Sequence, residues 1–265
     1  VRTIEVSDDV ASGPRDDTRK RRGVAGDVVV FKIAGAAAER GHTIDEVTEL
    51  AWRANDRTRS LGVAFDGCTL PGAAEPLFHV PAGQMSVGLG VHGEPGVYEV
   101  PMGTASQIAD LLVDGVMAEA LEIGTEGYSG RAIVLLNGLG TVKCEELYVV
   151  WNRVAERLTD AGVTPVLPEV GELMTSLDMA GISLTITFLD DELEELWCDP
   201  VDTIALRRGA VILLVDHAAK RKNGEFSDIH ELINRTNTAM AGCSGSIVLA
   251  DPPGADPMET KERTR

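Results

Sequence analysis

The residues with the most chemical promise stand in one loop, Gly88-Leu89-Gly90-Val91-His92-Gly93-Glu94-Pro95-Gly96. It holds a single imidazole among four glycines and a proline. Glycines let a ligand approach the backbone closely and allow turns of positive φ. So few side chains flank His92 that the loop is expected to present its ring to a cavity. A neutral imidazole nitrogen is a nucleophile and can add to a carbonyl carbon. With an ordinary pKa of about 6.5, much of the ring is neutral at cytoplasmic pH. If the loop is a site, Gly90 and Gly93 contact the ligand through backbone, and Glu94 joins them. The residues alone also allow a turn histidine bonded only to backbone.

Two other readings of the glycines fail on context. Gly88, Gly90 and Gly93 satisfy the dinucleotide pattern G-x-G-x-x-G, but that pattern needs a helix to open at the third glycine. Pro95 and Gly96 break such a helix. No Gly-Lys-Ser/Thr follows, so the loop is not a P-loop. The other histidines carry less. His42 precedes an N-cap, His79 lies near a turn, and His217 and His230 have no motif around them. Asp190 and Asp191 open a helix, where the dipole favours acids without any metal. Asn137 and residues 175–178 sit in loops at strand ends, where α/β folds place sites; packing is the favoured role for them. Cys68 and Thr69 could stand near the same pocket.

The elements that position this loop are legible from apolar periodicity. Thr3–Val6 reads as a strand, and Ser7–Arg22 as a polar loop whose basic run, Arg19–Arg22, is solvated. Val28–Arg40 reads as a buried, Ala-rich helix. Ile44–Arg59 is a second helix, with Thr43 as N-cap and Glu46 three residues on. Leu61–Phe65 and Met85–Gly90 read as strands, and Thr104 caps a helix. Arg131–Leu136 is a buried strand. In Cys144–Ala161, Leu147, Val150, Trp151, Val154 and Leu158 make one helical stripe. Val163–Val166 and Ile182–Phe188 are strands, the latter alternating Ile182, Leu184, Ile186 and Phe188 with Ser183, Thr185 and Thr187. A helix at Asp190–Trp197, a strand at Ala210–Val215 and a helix at Ser227–Met240 follow. Strands alternating with helices imply an α/β fold, a layered mixed β-sheet flanked by helices. Some pairs must be antiparallel, because several connections are too short for a crossover helix.

Composition narrows the function. The 265 residues suffice for one large or two small domains. With 28 glycines and only 4% aromatic residues, α/β suits the chain better than a β-sandwich. A net charge of −18 argues against nucleic acid. No apolar run reaches the ~18 residues of a membrane span. Cys68, Cys144, Cys198 and Cys243 are too scattered for a zinc site or a disulfide framework. The expected location is cytoplasmic.

The segment 87–96 resembles a motif of the dihydroxyacetone kinase substrate-binding subunit. Other blocks agree in order: Arg21-Arg22-Gly23-Val24-Ala25-Gly26 with the helix after it, Gly67-Cys68-Thr69, Leu136-Asn137-Gly138-Leu139-Gly140 with Glu146-Leu147-Tyr148, and residues 174–181 with 189–192. The resemblance runs from residue 1 to about residue 203. It implies that His92 bonds covalently to the carbonyl of dihydroxyacetone or a similar ketose as a hemiaminal. It implies no cofactor in this chain, ATP and magnesium on a partner domain or subunit, and a homodimer. The family's N-terminal motifs, with a second histidine and an aspartate base, have no match here. The chain is therefore expected to be a C-terminal part, inactive alone. Residues 1–60 would be the remainder of an N-terminal domain with connecting helices, and 61–203 the α/β domain carrying His92. Residues 204–251 would be an unmatched extension, and 252–265 a disordered tail. A ketose sensor or co-activator on the same fold is the alternative.

Overall fold

The computed structural model describes residues 1–91, 94, 96–120, 129–202, 207–208, 212–216 and 246–250. Val1–Asp199 form one compact unit and Pro200–Arg265 a second.

The first unit runs α1 (Gly26–Glu39), α2 (Ile44–Asp56), β1 (Thr58–Ala64), β2 (Gln84–Val87), β3 (Tyr98–Pro101), α3 (Ala105–Ala120), β4 (Arg131–Gly138), α4 (Cys144–Asp160), β5 (Thr164–Pro165), β6 (Glu169–Gly171), β7 (Gly181–Phe188) and α5 (Asp191–Cys198). Its sheet has the order β3-β2-β1-β7-β4-β5, with β6 also pairing with β4. The pairs β1/β2, β2/β3, β1/β7 and β4/β7 are antiparallel, whereas β5 and β6 lie parallel to β4. The sheet is therefore mixed, as the short connections require. In the second unit, β8 (Val201–Asp202) pairs with β9 (Arg207–Arg208), and β10 (Ile212–Asp216) with β11 (Ser246–Ala250).

The central strands β1, β7 and β4 are buried on both faces, so the alternation in β7 sorts residues between two covered sides rather than between core and water. On one side Ile182, Leu184, Ile186 and Phe188 join Leu61, Val63, Val134 and Leu136 beneath the apolar stripes of α3 and α4. The other side is polar in β1 and β7, and its hydroxyls bond to one another: Ser60 Oγ to Thr185 Oγ1 at 2.6 Å and Thr58 Oγ1 to Thr187 Oγ1 at 2.8 Å. The register sets these residues directly opposite each other. Burying such groups is tolerable only because they are paired.

The helix caps form as the sequence suggests. Thr43 accepts from the Glu46 amide at 3.4 Å while Glu46 accepts from the Thr43 amide at 2.7 Å. Thr104 and Gln107 make the same exchange. Asp190 accepts from the Leu193 amide at 2.9 Å, so its place is a cap, as expected for an acid opening a helix.

Three expectations need correction. Thr3–Val6 is not a strand: the ladder pairing of the N-terminal segment is one isolated bridge, Asp9 to Ser60, flanked by backbone bonds from the Ser60 amide to the Asp8 carbonyl and from the Val10 amide to the Ser60 carbonyl. Ser7–Arg22 is not simply a solvated polar loop, because Ser7, Asp8, Asp9 and Arg21 are buried. Helix α2 stops at Asp56 and β1 begins at Thr58, because Thr58, Arg59 and Ser60 gain ladder bonds to β7 that local periodicity cannot reveal. Strands β3, four residues long, and β6, three residues long, are too short for a periodicity to mark them. Residue 60, where the sequence reading divides the chain, lies inside β1. The helix expected at 227–240 and the tail from 252 lie outside the described residues.

Candidate functional site

The candidate loop leaves the buried end of β2 and returns into β3. Gly88 has φ +80°, a region open to glycine, and a Cβ there would run into the Ala11 side chain. Its amide donates to the Gly62 carbonyl at 2.8 Å, and the Val97 amide to the Val87 carbonyl at 2.8 Å. Leu89 is buried in a small cluster with Ala64, Cys68, Leu139 and Met179, against which Val91 packs. The Gly90 amide reaches the Glu94 carbonyl at 3.3 Å and narrows the loop neck.

Two side chains from distant segments hold this entry. Arg22 donates through Nη2 to the Gly88 carbonyl at 3.2 Å. The same guanidinium bonds Asp9 Oδ2 through Nε at 3.1 Å and Nη2 at 2.7 Å. A Cβ on Gly90 would lie 2.7 Å from the Glu94 carboxyl carbon and 2.9 Å from Arg22 Nη1. Glycine at 90 thus lets Glu94 and Arg22 approach the backbone. From the other side, Ser176 Oγ donates to the Val91 carbonyl at 2.8 Å.

Beneath Arg22 is a buried acid. Asp8 accepts from the Val24 amide and the Gly26 amide, each at 2.9 Å, at the start of α1, and from the Ser60 hydroxyl. Burial nevertheless pushes its carboxyl above the usual range, because desolvation outweighs the donors around it. Burial also pushes Asp9 up, opposed by the Arg22 charge beside it. Next to this, Arg21 forms a bidentate pair with Glu119, at 2.5 and 3.0 Å, with both side chains buried. The basic run is therefore half structural. Arg21 and Arg22 turn inward to paired carboxylates, while Arg19 lies over Trp52 and bonds Asp56.

Of the expected site residues, Gly90 and Glu94 stand at the loop neck, while His92 and Gly93 lie outside the described residues. Cys68 is buried below the loop, and its thiol contacts the Ser176 carbonyl at 3.5 Å. The Thr69 amide donates to Asp178 at 2.6 Å. Asn137 is fully buried and holds the Leu173 and Met174 amides at 2.7 and 2.8 Å, which is a packing role. His79 is exposed, and His42 stands 3.9 Å from Glu46. The sequence reading missed Asp8, Asp9 and Arg22. The available signal was adjacent acids facing adjacent arginines across one short loop. Among the described residues no group of three or more His, Cys, Asp or Glu could hold a metal ion.

The sheet is mixed rather than all parallel, and its loops meet at a glycine-rich turn tethered by side chains from distant segments. The Dak1 domain matches residues 1–205, and the chain belongs to that family. It is 63% identical over 211 residues to an L-erythrulose 1-kinase of Mycolicibacterium smegmatis, covering 80% of this chain and 37% of that protein. It is 39% identical over 229 residues to the dihydroxyacetone-binding subunit DhaK of the PEP-dependent dihydroxyacetone kinase of Escherichia coli, covering 79% of this chain and 64% of that subunit. Among solved structures, the dihydroxyacetone kinase of C. freundii superposes with a TM-score of 0.64 at 32% identity, over 84% of this chain and 40% of that one. A dihydroxyacetone kinase operon co-activator superposes with a TM-score of 0.66 at 33% identity, over 74% of this chain and 60% of that one. The chain spans 37% of the M. smegmatis enzyme and 35% of an L-erythrulose kinase of Pectobacterium atrosepticum. Among the described residues no helix is long and apolar enough to cross a membrane.

Proposed function

We propose that this chain is the ketose-holding part of a kinase acting on dihydroxyacetone or erythrulose, with His92 as the point of attachment. The observation that carries the reading is the 63% identity to an erythrulose kinase, across a segment that includes the tethered loop from Gly88 to Gly96. The chemistry follows from the imidazole. The lone pair of one ring nitrogen forms a bond to C2 of the ketose, and the carbonyl π pair moves onto oxygen. A proton leaving the other ring nitrogen ends on that oxygen, giving a neutral hemiaminal. Glycerol has no carbonyl and is rejected. Gly90, Gly93 and Glu94 would line the attachment point.

Phosphoryl transfer is mainly positioning and charge stabilisation. Covalent capture supplies the positioning. ATP and magnesium would come with a partner domain or subunit, and two copies of the chain would pair as a homodimer in the cytoplasm. No catalytic base is assigned to this chain, so transfer would need residues from beyond it.

A second reading, a ketose sensor that captures without phosphorylating, is favoured by the likeness to the operon co-activator. The two share the capture step and differ in turnover. The test is carbon NMR of dihydroxyacetone and erythrulose labelled at C2, mixed with the chain and with His92→Ala. A ketone carbon that becomes tetrahedral only when His92 is present supports capture. An unchanged ketone signal in a folded sample sinks it. Phosphorylation on adding an ATP-binding partner subunit would then separate kinase from sensor.

A further inference from the structure

Arg59 stands near the start of β1, and one edge of its guanidinium is open. The side chain is 9% exposed. Nη1 donates to the Asp56 carbonyl at 2.9 Å and to the Thr58 carbonyl at 2.7 Å, so that nitrogen closes the end of α2. Nε is buried and makes no hydrogen bond among the described residues. A buried charged donor without an acceptor costs free energy until one reaches it. Nε and Nη2 form the side-on edge of the group, the edge with which Arg22 holds Asp9.

The carboxylates around Arg59 do not close that edge. Glu119 Oε2 lies 3.6 Å from Arg59 Nε, beyond hydrogen-bond length. Arg21, itself buried, already takes both Glu119 oxygens, at 2.5 and 3.0 Å. Arg15 Nε stands 3.2 Å from Glu119 Oε1, on a half-exposed side chain. Asp56 bonds Arg19 at 3.0 Å. Three guanidinium groups thus face one carboxylate, in a chain whose net charge is −18. Burial first, and the Arg21 charge next, hold the Arg59 guanidinium below its ordinary value, against the pull of Glu119, Asp56 and Asp8.

We propose that the open edge of Arg59 is a phosphate-binding site, with Arg15 as its second arm. A tetrahedral phosphate can place two oxygens on Arg59 and a third on Arg15, which reaches the same Glu119. A planar carboxylate would commit both oxygens to Arg59 and leave none for Arg15. A phosphate group carries about −1.5 to −2 charge near neutral pH, enough to offset the surplus of cations. Glu119 repels it little, because the bidentate pair with Arg21 neutralises that carboxylate. The ligand is a phosphate group, either free or carried on a small phosphomonoester. The site lies outside the loop 88–96 and does not depend on the ketose reading.

The experiment titrates the full chain, isotope-labelled at arginine nitrogen, with inorganic phosphate, glycerol phosphate and acetate, each against chloride at equal ionic strength. The Arg59 Nε signal is assigned through bonds from its own backbone. Binding predicts that phosphate shifts this signal saturably and raises the thermal unfolding midpoint, and that acetate does neither. Arg59→Lys keeps the charge but loses the fork, and should lose the rise in midpoint. Arg15→Gln changes a half-exposed side chain and should weaken phosphate binding about tenfold, the scale of one hydrogen bond to a charged group. Glycerol phosphate has no carbonyl and cannot form a hemiaminal, so its response reports this site alone. Tighter binding of the ester assigns the site to a phosphomonoester, and equal or tighter binding of inorganic phosphate assigns it to the free ion. An Arg59 Nε signal that neither phosphate moves overturns the proposal, as does an equal response to acetate. If Arg59→Lys does not fold, Arg15→Gln decides: phosphate affinity equal to that of wild type overturns the site.

Discussion

At the scale of single residues, close approach and burial set the consequences of substitution. Gly90→Ala would press a methyl against the Glu94 carboxylate and Arg22 Nη1. Both groups are the far ends of flexible side chains that can swing aside, so the cost in stability should stay below about 1 kcal/mol, to be read by urea unfolding. The ketose adduct should fall more than stability does, because the strain lies at the loop neck. Asp8 gives a pH prediction. Its folded pKa is raised by burial, so the folded chain holds a proton that the unfolded chain has already released. The stability from that proton is complete below the unfolded pKa of about 4. It is lost as pH rises through the folded value. Asp8→Asn has no such titration. It turns an amide group toward the donors at Val24, Gly26 and Ser60, at a cost of about 1–3 kcal/mol. The advantage of wild type over Asp8→Asn should therefore be greatest in acid and narrow as pH rises. Asp9 titrates in both proteins but feels the Asp8 charge, so the comparison is read in acid, where Asp8 holds its proton and that coupling is absent. A gap that is constant or widens with pH would contradict the assignment.

Among elements, the decisive feature is that three loops meet at one end of the sheet. The loop after β1 brings Cys68, the loop after β2 brings Val91, and the segment before β7 brings Ser176. Asn137, at the end of β4, ties that last segment down. Asn137→Ala would leave the Leu173 and Met174 amides without their acceptor in a partly buried turn. It should cost about 2–3 kcal/mol and loosen 173–176, which hydrogen exchange at the Leu173 and Met174 amides would report. A variant with wild-type protection there would show that the turn holds by itself. The hydroxyl ladder between β1 and β7 explains why the polar half of the β7 alternation faces protein rather than water.

The whole chain divides at Asp199, and the Dak1 match stops at residue 205, close to the same point. The first unit has its own continuous core and its own sheet. A chain shortened to residues 1–199 should therefore unfold cooperatively with a midpoint within a few degrees of the full chain. Calorimetry on both checks this, and a broad or missing transition would show that the second unit supports the first. The strong acidity, −18 overall, fits a small-molecule ligand better than a polyanion.

Much of this was written in local pattern. The stripe Leu147, Val150, Val154 and Leu158 makes α4 whatever surrounds it, and Thr43 with Glu46 starts α2 by contacts three residues apart. The order of the glycine-rich loop and its companion blocks carried the family. The partners of the buried charges could not be read that way. Arg21 meets Glu119 across 98 positions, and Ser176 meets Val91 across 85. Nothing within a few residues of either end distinguishes a solvated arginine or a packing serine from a tether. The energy that fixes them comes from desolvation and hydrogen bonding that exist only once the sheet has brought the segments together. The same holds for β1, whose first three residues become strand because β7 lies beside them.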